Sequence, residues 1–280
     1  MPETPQDKAP FRLVSQLPSP EISGFIKEFF YLVGEWGESR TMVAIDDGCY
    51  DFMFYQEEVA TITYGEASTL AIDNKAFTVH PYAPPLAYNF GDQMHFFSVK
   101  AQPWANAYFF PGREGPGLVN LPDLYGPAIL DLHQRVFESA SFPEKVAHAE
   151  RFLIQHIQKT PTPDFDLARQ LCLQVYEHQG KITVDQLAEH FGVSRQVLNK
   201  VFLQHVLCTL KKFIITVRIL ALVKYRLNHP DLSLTEVAYQ FDYYDQAHFN
   251  RDFKRISGVT PRRFFLNLPP WFSRLQLAQS

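Results

Sequence analysis

Thr183-Val184-Asp185-Gln186-Leu187-Ala188-Glu189-His190-Phe191-Gly192-Val193-Ser194 is matched within the same chain by Ser233-Leu234-Thr235-Glu236-Val237-Ala238-Tyr239-Gln240-Phe241-Asp242-Tyr243-Tyr244-Asp245. The offset is 50 residues before the turn and 51 after it. Each copy opens on a capping box, Thr183 with Gln186 and Ser233 with Glu236, in which side chain and backbone satisfy each other at a helix start. Each then puts a branched apolar residue, an alanine and a phenylalanine on one face: Leu187, Ala188 and Phe191, then Val237, Ala238 and Phe241. The small alanine lets a second helix cross closely. Gly192 and Asp242 stand where the chain turns; Gly takes positive φ freely and Asp does so at modest cost. New helices are expected from Ser194 and from Asp245, where Leu198 and Phe202 are matched by Phe249 and Phe253. The pattern is that of two helix-turn-helix units.

In such a unit the second helix enters the major groove of duplex DNA. Burying Leu198, Val201 and Phe202 turns Arg195, Gln196, Asn199 and Lys200 outward, and burying Phe249 and Phe253 exposes Gln246, His248, Asn250 and Arg251. Arg, Lys, Asn and Gln hydrogen-bond to base edges, and a good bidentate pair discriminates by about 1–3 kcal/mol. Lys211, Lys212, Lys254, Arg255, Arg262 and Arg263 read better as phosphate contacts, which position without specifying. Outward polar residues are also what any solvated helix shows; the duplication with caps, turns and charge is the more specific signal. Between the copies, 210–227 is an apolar helix expected to connect the units, placing two readers in successive grooves about 34 Å apart.

Working outward, the 280 residues suit two domains, and 46% hydrophobic with 15% aromatic composition excludes wholesale disorder. The net charge of −4 hides an asymmetry. Residues 1–180 carry 12 basic against 23 acidic residues, whereas 181–280 carry 14 against 7, so a polyanion is the partner expected of the basic end. Cys49, Cys172 and Cys208 form neither a disulfide framework nor a metal knuckle and read as buried thiols. With no basic-then-apolar leader and no 18-residue apolar run, the expected location is the cytoplasm, without membrane contact.

From about residue 41 to 100 the chain reads as short strands, at 41–45, 51–55, 59–64, 77–80 and 94–99, broken by turn residues. This spacing suggests a small barrel or sandwich. Helices are expected at 125–140 and 141–157, the second opened by Ser141 with Pro143 and Glu144, and 159–163 is the linker candidate. The fold class expected is thus two-domain α+β: an N-terminal small β-barrel with trailing helices, then an all-α domain with two helix-turn-helix units on a long connecting helix. The domains are placed at 1–160 (barrel about 11–111, helices about 125–158) and 164–268.

Residues 164–266 resemble the DNA-binding domain of the AraC/XylS family of transcription regulators. The likeness is carried by 234–238, Asp245-Gln246-Ala247-His248-Phe249, Arg251, Phe253-Lys254-Arg255 and Gly258-Val259-Thr260-Pro261, with Arg218 and Ala221 at family positions in the connecting helix. Leu207 and Leu210 depart from a frequent Gly and Pro, and Asp242 from a frequent Gly. The resemblance implies recruitment of RNA polymerase, as an activator does, and a cupin-like front half that senses a small molecule before helices used in dimerisation.

For such an effector, Tyr50, Phe52, Phe54, Tyr88, Phe96 and Trp104 are the candidate lining residues, although a barrel core needs the same aromatics. The carboxylates at Asp46, Asp47 and Asp51 suit a cationic or hydroxylated ligand, although a solvated hairpin turn explains Asp46 to Gly48 at least as well. His80 and His95 stand 15 positions apart with no second histidine near either, so neither a metal nor a cofactor is expected. Two alternatives stay open: a front half that serves only dimerisation or a protein partner, and, more remotely, an enzyme with an appended DNA-binding domain, for which the chain carries no catalytic motif.

Overall fold

A computed structural model describes residues 11–35, 40–44, 47–56, 61–64, 68–70, 75–80, 86–90, 93–111, 118–157 and 162–268. The strands are β1 (Phe11–Gln16), β2 (Ile26–Glu35), β3 (Arg40–Ala44), β4 (Asp51–Tyr55), β5 (Thr61–Tyr64), β6 (Ser68–Leu70), β7 (Ala76–Val79), β8 (Leu86–Phe90), β9 (Gln93–Ala101) and β10 (Leu118–Asn120). A short 3-10 turn (Pro103–Ala105) leads into α1 (Asn106–Phe109), and α2 (Pro122–Tyr125), α3 (Ala128–Glu138) and α4 (Phe142–His156) close the front half. The back half is helical: α5 (Pro163–Glu177), α6 (Val184–Phe191), α7 (Arg195–Val206), α8 (Leu210–Asn228), α9 (Leu234–Gln240), α10 (Gln246–Ser257) and α11 (Pro261–Leu266).

The two-part α+β architecture stands, but the barrel does not. The strands form a six-stranded sheet, β1-β2-β9-β4-β7-β10, and a separate four-stranded sheet, β3-β8-β5-β6. Among the described residues no ladder joins the two, so neither sheet closes on itself and the cupin-like barrel is corrected to two open sheets. The physical reason lies in how the large sheet covers its faces. Antiparallel register sets Phe97 opposite Phe54 and Tyr31, and Val99 opposite Phe52 and Phe29. That aromatic face is covered by helices, with Phe54 against His133 of α3 and Phe97 against Phe142 of α4. The opposite face, with Phe30, Leu32 and Phe96, belongs to a cluster that runs on to Ile215, Ile219 and Phe253 of the back half. Helices therefore do the covering that barrel closure would otherwise do.

The same double burial explains β2, where the strand reading had begun only at residue 41. Phe29-Phe30-Tyr31-Leu32 is a continuous apolar run without the alternation of a half-exposed strand. The two halves also share a core: Phe25 of the front packs 5.4 Å from Phe165 of α5, whose ring lies 5.9 Å from His205 of α7. The linker candidate falls mostly outside the described residues; its far end, Thr162, caps α5 by accepting from the Phe165 backbone N–H.

Candidate nucleic-acid interface

Both expected capping boxes form. The Thr183 hydroxyl accepts from the Gln186 N–H at 3.2 Å, and the Ser233 hydroxyl from the Glu236 N–H at 3.2 Å, with the reciprocal bonds also present. The turns take the left-handed backbone anticipated for them, φ 65° at Gly192 and 58° at Asp242. Ser194 and Asp245 then cap α7 and α10 through the N–H groups of Val197 and His248. Leu198, Val201 and Phe202 are buried on α7, and Phe249 and Phe253 on α10.

That burial fixes what each second helix presents. Arg195, Gln196 and Lys200 are exposed on α7 and Asn199 is half-buried; Gln246 and Arg251 are exposed on α10, with His248 and Asn250 half-buried. Lys254, Arg255 and Lys211 are exposed. Arg195 reaches Asp185 at 3.1 Å across the first turn, while Asp252 holds His248 at 3.4 Å and Arg255 at 3.1 Å. Lys212 is half-buried and lies close enough to His80 of the front half to help burial lower that imidazole's pKa, to about 4. Tyr244, immediately before the α10 cap, is 88% exposed and was not singled out by sequence pattern.

Residues 187–267 match the family described as a helix-turn-helix domain. The probable transcription factor PqrA of Proteus vulgaris is 30% identical over 99 residues, which span 35% of this chain and 80% of that one. The chain belongs to the AraC/XylS family of transcription regulators. The Msm operon regulatory protein of Streptococcus mutans is 25% identical over 116 residues, 41% of each chain. The transcriptional activator RhaS of Salmonella schwarzengrund is 30% identical over 94 residues, 33% of this chain and 34% of that one. The matches thus span well under half of these last two relatives. Among solved structures, ToxT from Vibrio cholerae O395 is 11% identical with a TM-score of 0.49, over 94% of this chain and all of that one. No helix among the described residues is long and apolar enough to cross a membrane.

The AraC-type connecting helix, α8, is buried almost all round, from Leu210 and Phe213 to Leu222 and Val223. Its Arg218 donates through Nε to the Gly180 carbonyl at 2.7 Å and lies 5.6 Å over the Tyr243 ring, so one guanidinium ties the end of α5 to the second turn. Gly180 has φ +71°, and a Cβ there would meet the backbone of Arg218 and Ile214 at 2.5 Å. Sequence reading missed this glycine, although its place just after a helix end is a known signal.

Five of the six candidate effector aromatics belong to the core. Tyr50, Phe52 and Phe54 are fully buried, Phe96 and Trp104 nearly so, and the Trp104 indole donates to the Gly24 carbonyl at 2.8 Å. Tyr88 lies in a strand described by its backbone alone. A cavity of about 350 Å³ opens elsewhere, where the large sheet meets the back half. Lys27, Asp47, Tyr176, Val217, Lys224 and Phe241 are among its walls.

Behind this cavity sits a buried charge cluster. The Asp47 carboxylate is 2.6 Å from the Lys100 ammonium and 3.7 Å from that of Lys27. Burial opposes its charge, but the two ammoniums hold its pKa well below the carboxylate range. Asp51, 4.0 Å from Lys100, goes the other way: burial, with Asp47 and Glu28 nearby, raises it to about 7. Asp47 and Asp51 therefore face ammoniums of the protein's own lysines, while Asp46 lies outside the described residues. The three cysteines are free and buried, and no group of side chains able to hold a metal occurs among the described residues. The lysines were missed because Lys27 and Lys100 lie on β2 and β9, far apart in sequence, and only sheet pairing brings both to Asp47.

Proposed function

We propose that this AraC-type regulator reads an asymmetric duplex site as one chain, with α7 and α10 in successive major grooves. The carrying observation is that both second helices lock an apolar face inward while presenting Arg195, Gln196, Asn199 and Lys200 on one and Gln246, His248, Asn250 and Arg251 on the other. Lys211, Lys254 and Arg255 contact phosphates, and Lys212 only at the inner margin. The reading unit spans about 164–268, after a front half of about 1–160. Contact with RNA polymerase belongs to the same proposal, as does self-association through α3, whose Leu130 is 47% exposed. Footprinting on genomic fragments at physiological salt tests it: Arg251→Ala should cost about 1–3 kcal/mol at one base position and relax discrimination there. Equal affinity for every fragment and for random duplex would overturn it.

A second reading concerns control. We propose that a small organic anion with an apolar body occupies the cavity between sheet and α8 and tunes DNA affinity. Its walls combine the Lys27 and Lys224 ammoniums with Val217, Leu220, Tyr176 and Phe241, the mixture such a molecule needs. Burial, with Lys27 and Lys100 nearby, lowers the Lys224 pKa, so an anion beside it favours the charged ammonium. Calorimetry with a panel of organic carboxylates should find binding that Lys27→Ala and Lys224→Ala each weaken at least tenfold; heats unchanged by both substitutions would sink it.

A further inference from the structure

Asn106, fully buried at the start of α1, spends its carboxamide on both halves of the molecule. Its Oδ1 accepts from the Tyr50 N–H at 3.0 Å, and its Nδ2 donates to the Gly48 carbonyl at 3.0 Å and to the Val206 carbonyl at 3.2 Å. Val206 is the last residue of α7. A helix leaves its last carbonyls without intrahelical donors, and the common remedy is a left-handed residue just past the end whose own N–H turns back. Gly192 does this for α6 and Gly258 for α10, each returning its N–H to the helix it ends. Leu207 is also left-handed, φ 64°, but among the described residues its N–H makes no such bond. The donor at this helix end comes instead from another part of the chain.

The loop behind Asn106 starts at the cavity. Asp47 lines that cavity, and its Oδ1 accepts from the Cys49 N–H at 3.1 Å, which shapes the turn through Gly48 (φ 82°). Asp47, Gly48, Asn106 and Val206 therefore form a continuous polar connection from the cavity wall to the end of the first reading helix. Among the described residues no corresponding bond reaches the end of α10, which Gly258 closes.

We propose that Asn106 is a positioning residue: a C-cap supplied in trans that sets the last turn of α7 and ties it to the cavity loop. Through this bond the front half acts on the end of the first reading helix, whereas the second reading helix shares only an apolar cluster with the front sheet. This rests on the reading of α7 as a groove helix.

The test uses the full chain carrying Asn106→Ala, with hydrogen exchange resolved along α7 and α10 and footprinting resolved by half-site. Loss of one buried hydrogen bond is worth about a factor of ten. Exchange in the last turn of α7 should rise about tenfold with α10 unchanged, and affinity for the α7 half-site should fall about tenfold with the α10 half-site retained. Asn106→Asp keeps the acceptor for Tyr50 while removing both donors, and carries the same expectations if the alanine variant does not fold. Unchanged exchange in α7, or equal loss at both half-sites, overturns the proposal. If Arg195→Ala and Gln196→Ala leave both half-sites intact while exchange responds as expected, the cap stands and the reading of α7 fails.

Discussion

Gly180 and Arg218 show how one backbone position can hold three elements together. The Arg218 guanidinium reaches the Gly180 carbonyl only because α8 passes against that backbone with no side chain between them. Gly180→Ala should cost about 3 kcal/mol, from the left-handed backbone and the 2.5 Å approach together, measured by urea denaturation. Asp51 makes a pH-dependent prediction. Its folded pKa, about 7, lies above the unfolded value of about 3.9, so the folded state binds the extra proton between those limits. Through Asp51, stability falls as pH rises across that window and is lowest above 7. Asp51→Asn should raise the melting temperature by about 5 °C at pH 8 and by much less at pH 4.5, and should flatten its slope between them. Equal shifts at both pH values would show that the carboxyl is not titrating there. Gly180 carries no sequence signal of its close approach to α8, and Asp51, although a candidate ligand carboxylate in the sequence, owes its environment to Lys100 of a distant strand.

At the level of elements, caps were the most legible feature, because they depend on residues three positions apart. The boxes at Ser141, Thr183 and Ser233 all form, and the helices they open begin where the spacing places them. Ser233→Ala should cost about 1 kcal/mol by removing the acceptor for the Glu236 N–H, and should weaken the α10 half-site more than the α7 one; calorimetric unfolding and half-site footprints read the two effects. Sheets were less legible. Strands β4, β5, β7 and β9 were found, and β3 within a residue or so, but β1, β2, β6, β8 and β10 were not. The alternation that betrays a strand is lost when both faces are buried, as in β2, and three-residue strands such as β6 and β10 carry too few positions to show it. Closure itself is decided by which distant elements cover which face. A local pattern cannot report that, and the barrel expectation failed there.

Across the whole molecule, the acidic front and basic back were visible from charge alone, and within the basic back the proposed DNA contacts divide into two kinds. Lys254→Ala should lower the slope of log affinity against log salt by about one while leaving base preference unchanged, a measurement made by titrating salt on specific and random duplexes. Arg251→Ala should do the reverse. The linker reading was less informative than the charge division, because the halves are not separate bodies joined by a tether. Phe25, Phe165 and His205 pack together across the seam, Asn106 bonds across it, and α8 is buried among residues of both halves.

That shared seam bears on how such a regulator can be recombined. A sensory half attached by a flexible tether can be exchanged between proteins as a cassette. Here, replacing residues before the linker would strip α5 and α7 of Phe25 and Asn106, leaving apolar surface exposed and a helix end open. Functional chimeras should therefore need junctions that keep Phe25 and the Pro103–Phe109 segment with the back half.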